Sequence, residues 1–156
     1  GNESIENVLV NKFLNQKLTI STAESCTGGL IGHRLTNVPG SSEIYHGGLI
    51  TYSNQSKIND LDISAKSIED FGAVSQEVAL EMAKNIRAKL KTNVGISTTG
   101  IAGPGGGTDL KPVGLVYVGY CDENILEVKK FNFTSNRESN KIRTSQAVFN
   151  FILSMI

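Results

Sequence analysis

The chain has 156 residues, with 15 basic and 15 acidic side chains and a formal net charge of zero. That balance excludes a broad electrostatic footprint for DNA, RNA or an anionic membrane surface, while one or two cations still suffice to hold a phosphate. Two cysteines are too few for a disulfide-stapled secreted scaffold and point to a reducing cytoplasm, and no apolar run reaches the ~20 residues of a membrane span.

The length suits one domain, expected over residues 1–156, with no repeat, linker or low-complexity tail. The chain begins with Gly1 rather than Met and has no apolar signal core, so Gly1 is read as a residue left by tag cleavage. Ile5, Val8, Leu9 and Phe13 recur at helical spacing and predict an opening helix. Leu18 to Ala23 is β-rich and reads as a strand. A polar turn follows, Glu24-Ser25-Cys26-Thr27-Gly28-Gly29, and then a helix from Leu30 to Thr36 that Asn37 and Pro39-Gly40 end. Ile44 to Ser53 is the next strand, weakened at Gly47-Gly48 as a bulge would be. Short helices are expected at Asn54–Leu61 and Ala65–Phe71. Ser75 caps a longer helix with Val78, Met82, Ile86 and Leu90 on one face. Asn93 to Thr98 reads as a buried strand leading into the glycine-rich loop 99–107. Val113 to Cys121 and Ile125 to Phe133 form an antiparallel pair. Arg137 to Ile156 closes the chain as a helix, with Ile142, Phe149, Ile152 and Ile156 on one side. Interleaved strands and helices predict an α/β fold. The expected form is a three-layer α/β/α sandwich with a mixed, mostly parallel sheet and an antiparallel edge.

Two glycine-bearing turns, 24–29 and 99–107, each follow a strand, where α/β sheets bind ligands. The first presents a hydroxyl, Ser25, beside backbone N–H groups at a helix start, which suit an anion or a developing oxyanion. The plainer alternative is that Ser25 and Thr27 only cap the helix. The turn is neither a Walker loop nor a Gly-x-Ser-x-Gly elbow, because no Gly-Lys-Ser/Thr follows and position 23 is Ala. Neither His33 nor His46 is placed beside Ser25 by any pattern. A lysine is the alternative base, and Tyr52 and Lys57 lie five apart between a strand end and a helix. The competing reading is a solvated Lys57 and a core Tyr52. Arg137 and Arg143 at the start of the last helix offer a phosphate partner, or merely helix-end charge. Cys26 is read as a small packed residue. The Cys and His residues show no metal-ligand spacing, so no metal and no cofactor are expected.

Thr22-Ala-Glu-Ser-Cys-Thr-Gly-Gly29, Gly40-Ser-Ser42, Gly48 and Thr51-Tyr-Ser-Asn54 with Lys57 resemble the CinA C-terminal (nicotinamide-nucleotide amidase) family. So do Gly72-Ala-Val-Ser75, Gly100-Ile-Ala-Gly-Pro104 and Lys111-Pro-Val-Gly114, in the family's order across residues 5–155. Members occur alone or fused behind a molybdopterin-binding-like domain. The resemblance implies hydrolysis of the carboxamide of nicotinamide mononucleotide to nicotinate mononucleotide and ammonia, in pyridine-nucleotide salvage. It implies Ser25 as nucleophile with Tyr52 and Lys57 as the base pair. Substrate contacts are then expected from Cys26, Thr27, Gly28 and Gly29, from Thr99, Gly100 and Gly103, and from Arg137 for the phosphate. Ser135-Asn136-Arg137 departs from the family's usual Gly-Asp/Asn-Arg, and Ile142-Arg143 comes late. The expected partner is a small nucleotide, with no nucleic acid or membrane, in a homo-oligomer. Two other readings are a non-catalytic nucleotide-binding or competence-associated partner domain, and an amidase for a different carboxamide.

Overall fold

The computed structural model describes residues 3–156, so the reading of Gly1 lies outside the described residues. In chain order the elements are α1 (Ile5–Gln16), β1 (Ile20–Glu24), α2 (Leu30–Thr36) and a 3-10 turn (Ser41–Glu43). Next come β2 (Tyr45–Ile50), α3 (Asn54–Leu61), α4 (Ala65–Phe71), α5 (Gln76–Leu90) and β3 (Val94–Gly100). β4 (Leu115–Cys121), β5 (Leu126–Asn132) and α6 (Arg137–Met155) complete the fold. Ser53, Ser64, Ser75 and Asn136 each accept the N–H three residues on, so short polar side chains start α3, α4, α5 and α6 as their positions predict.

The sheet order is β2-β1-β3-β4-β5. β1 pairs in parallel with both β2 and β3, while β4 runs antiparallel to β3 and to β5. The expected α/β sandwich is therefore present, with its antiparallel strand lying one in from the edge. Every residue of β1 is buried, and β3 is buried up to its last residue, as strands covered on both faces must be. α1, α2 and α6 supply one core with Leu9, Phe13, Ile31, Leu35, Phe149 and Ile152. α3 and α5 supply the other with Leu61, Val78, Met82 and Ile86. α5 rides close to the sheet because β3 and β4 present glycine beneath it. A Cβ at Gly119 would press on the Ala79 carbonyl, and Ser97 Oγ donates to that same carbonyl at 2.6 Å.

Three expectations need correcting. The second strand stops at Ile50, because the chain turns out at Tyr52 and Ser53, and Ser53 caps α3. The third strand runs on through Thr99 and Gly100, which pair with Tyr117 and Val116 of β4. Ile142 is 52% exposed, although it falls on the same helical face as Phe149. The buried stripe of α6 opens instead with Asn140, Thr144 and Ser145 before turning apolar at Val148. Apolar periodicity cannot detect a stripe whose first turns are polar. The bulge expected near Gly47 is present: Ile20 faces Tyr45 while Ser21 faces Gly47, leaving His46 as the extra residue.

Candidate active site

β1 delivers Ser25 at its carboxyl end, between two parallel neighbours. From there the chain leaves toward β2, whereas β3 leads toward β4, so the loops after β1 and β3 diverge and open a crevice. Ser25 N–H donates to Thr98 O at 3.0 Å, which extends the β1–β3 ladder one step and holds the serine down. The residue is 6% exposed.

Neither Ser25 nor Thr27 caps α2. Gly29 holds the N-cap position with φ +103° and offers no side chain. Glu24 takes that role from the end of β1. Its Oε1 accepts from Ile31 N–H at 2.9 Å and from Thr27 Oγ1 at 2.6 Å, and its Oε2 accepts from Gly32 N–H at 3.1 Å. The helix-start N–H groups expected to face an anion are thus already occupied. Those of Cys26, Thr27 and Gly29, further back in the turn, take no acceptor among the described residues.

Lys57 reaches Ser25 from the first turns of α3. It is 1% exposed, so the expected alternative of a solvated lysine does not hold. Its Nζ lies 3.0 Å from Ser25 Oγ, 2.8 Å from Thr51 O and 3.2 Å from Tyr52 O. A neutral amine has two N–H groups and one lone pair. In that form the two carbonyls would take the N–H groups and the lone pair would face the serine hydroxyl, while the protonated form would donate to all three oxygens. Burial pushes the Lys57 pKa below its ordinary 10.5. Among the described residues no carboxylate forms an ion pair with it. The nearby Cys26 thiol would oppose the shift only as a thiolate, and burial pushes that thiol up to about 12, so it is protonated at neutral pH.

A cavity of about 290 Å³ opens over this pair, lined by Ser25, Cys26, Tyr52, Lys57, Thr99, Gly100, Gly103 and Arg137 among others. All eight were singled out from the sequence. Tyr52 is 61% exposed, not a core residue, and its phenol accepts from Arg137 Nη2 at 2.9 Å, while Lys57 bonds its backbone carbonyl. Arg137 Nη1 also donates to Gly103 O at 2.8 Å, tying the glycine-rich loop to α6. Thr99 spends its hydroxyl on Ala73 O at 2.7 Å. Thr27, Gly28 and Gly29 do not line the cavity: Thr27 is buried against Glu24 and Thr98, and Gly29 backs onto Ile50. His33, His46 and Arg143 are exposed and stand apart from it.

Sequence reasoning missed Glu24 and Asn140. Asn140 is 1% exposed and donates through Nδ2 to Ala102 O at 3.0 Å, seating the loop that walls the cavity. Its only sequence signal was an amide four residues after the Asn136 cap, at a helix position such residues disfavour. Missed lining residues include Asn54, Val74 and Gly106. Among the described residues no group of His, Cys, Asp and Glu side chains would hold a metal ion, and no helix is long and apolar enough to cross a membrane.

An α/β sheet thus carries a buried serine–lysine pair in the crevice at its strand ends. The family model of the CinA C-terminal domain matches residues 2–156, and the chain belongs to that family. It is 50% identical over 152 residues to a competence-damage inducible protein of Clostridium perfringens, covering 97% of this chain and 37% of that protein. A Clostridium botulinum protein of the same name is 52% identical over 138 residues, covering 88% of this chain and 34% of its own length. The chain therefore spans about a third of the curated relatives it matches. Among solved structures, the competence/damage inducible protein CihA from Agrobacterium tumefaciens superposes with TM-score 0.94 at 34% identity, covering 96% of this chain and 92% of that one. A CinA superfamily protein from Escherichia coli gives 0.94 at 28% identity, covering 97% and 88%.

Proposed function

We propose that the chain is an amidohydrolase that converts nicotinamide mononucleotide to nicotinate mononucleotide and ammonia, with Ser25 as nucleophile and Lys57 as general base. The observation that carries this reading is the 3.0 Å approach of a buried, uncompensated amine to the serine hydroxyl. In the first half-reaction Lys57 Nζ takes the Ser25 proton as Oγ bonds to the carboxamide carbon. The Cys26 N–H, which takes no acceptor among the described residues and belongs to a residue lining the cavity, is the leading oxyanion donor. Collapse breaks the C–N bond, and the proton on Lys57 passes to the departing nitrogen, which leaves as ammonia. In the second half a water loses its proton to Lys57, attacks the acyl carbon and frees the carboxylate, and Oγ recovers the proton.

Arg137, on the same cavity, is the partner proposed for the 5′-phosphate. The test is ammonia release from nicotinamide mononucleotide by wild type, Ser25→Ala and Arg137→Gln. Wild type should turn over and Ser25→Ala should not. Arg137→Gln should lose ~10-fold or more in kcat/KM on the mononucleotide and much less on the unphosphorylated riboside. Binding of the mononucleotide by folded wild type with no ammonia would make this a nucleotide-binding module instead.

A further inference from the structure

We infer that Glu24 is a positioning residue for the reaction at Ser25, acting through the turn and not on the substrate. The inference rests on the reading of Ser25 as nucleophile. Glu24 is 2% exposed, forms no ion pair among the described residues, and lies outside the cavity lining. Burying a carboxylate is costly unless its oxygens are hydrogen-bonded. Position 29 cannot supply a side-chain cap, because its φ of +103° suits glycine and a Cβ there would crowd Ile50.

The arrangement gains something a local cap cannot supply. One side chain on the last residue of β1 grips the first turn of α2 through Ile31 and Gly32. It also grips the middle of the turn through Thr27 Oγ1, which in turn meets Thr98 Oγ1 at 2.8 Å. The five residues from Ser25 to Gly29 are closed into a loop whose two ends and midpoint share one carboxylate. The main chain of Glu24 acts on the other partner: its carbonyl accepts Thr51 N–H at 2.9 Å, and the Thr51 carbonyl accepts from Lys57. Glu24 therefore fixes both the hydroxyl and one of the two carbonyls that aim the amine. It also satisfies the helix-start donors, so that the N–H groups left open are those beside the nucleophile.

The test uses a fluorophosphonate probe, which labels an activated serine whatever the natural amide is, alongside ammonia release and thermal melting. In Glu24→Gln one oxygen becomes an NH2 group that meets an N–H or O–H donor. Labelling of Ser25 and kcat should both fall ~10- to 100-fold, the range expected for a misplaced reacting group. KM should stay within ~3-fold, because no substrate contact is lost. Thr27→Val should slow labelling, and Thr27→Ser, which keeps the hydroxyl, should restore it. A folded Glu24→Gln that labels at the wild-type rate would overturn the inference, as would a rise in KM at constant kcat. Should Glu24→Gln not fold, Thr27→Val decides, and wild-type labelling by that variant overturns it. Wild type that takes no label at all, with its fold intact, removes the nucleophile itself, which is a separate failure.

Discussion

The Tyr52 hydroxyl accepts a hydrogen bond from Arg137 Nη2 at 2.9 Å, joining the segment before α3 to the start of α6 at the cavity mouth. The phenol is thus committed to the arginine, and Lys57 draws on the backbone of Tyr52 instead. Tyr52→Phe keeps that carbonyl and removes one neutral–charged hydrogen bond, worth about 1.5 kcal/mol or roughly tenfold. The expected result is a KM for the mononucleotide raised by up to ~10-fold with kcat nearly unchanged. Steady-state kinetics decide: a collapse of kcat at constant KM would mean that the phenol handles the reacting proton.

The direction of the Lys57 shift sets the pH behaviour. The folded pKa lies below the 10.5 of a free lysine, so the unfolded chain binds the extra proton in the window between the two. Stability should therefore rise with pH across that window, relative to a Lys57→Met variant that lacks the group. Activity should rise in the same direction, because only the neutral amine accepts the serine proton. Thermal melts and kcat/KM profiles of both proteins test this, and a wild-type rate that falls as pH rises from about 6 to about 9 would contradict it. Lys57→Met should lose at least ~100-fold in kcat.

Asn140 is a stability prediction. Replacing it with Leu keeps much of the volume but strands the Ala102 and Ser135 carbonyls, to which its Nδ2 donates, and the Ser135 N–H, which its Oδ1 accepts. The cost should be about 1–3 kcal/mol in denaturant unfolding. Cleavage of the 101–114 loop by protease should also quicken. A midpoint unchanged from wild type would show that the loop is held elsewhere.

At the far side of the helical layer, Arg34 Nε meets Glu6 at 2.7 Å, joining α1 to α2. The hydrogen bond from Arg34 is the main reason the Glu6 carboxyl falls from 4.5 to about 2, against the opposing effect of burial. A depressed carboxyl stabilises the fold above its unfolded pKa and loses that contribution as pH falls through the folded one. Glu6→Gln should melt below wild type near neutrality, and the gap should close between about pH 5 and about pH 2. A gap that stayed constant into acid would assign the loss to packing.

Much of the fold could be read from residue types alone. Ser75 before an apolar periodic run marked the start of α5, and alternating elements marked the layered sheet. Ser25 was legible as the residue that leaves a strand for a glycine-bearing turn, whereas Lys57 and Arg137 were open readings that the family resemblance singled out, and the fold brings all three to one cavity. The competing reading of Tyr52 as a core residue fails because the strand ends two residues earlier and leaves the ring outside. Glu24 was not legible, since a carboxylate closing a strand reads as solvated until the helix it caps is seen in three dimensions. Asn140 and Thr144 were hidden for a related reason: a polar buried stripe leaves no trace in hydrophobic spacing.

Among the described residues β2 borders the sheet and has β1 as its one strand neighbour. The chain leaving that border supplies both carbonyls that orient the Lys57 amine. Segments with fewer packed neighbours open locally at lower free energy than the core. Turnover should therefore fade while the two cores are still packed, making lost activity an early alarm for fraying at one rim of the molecule.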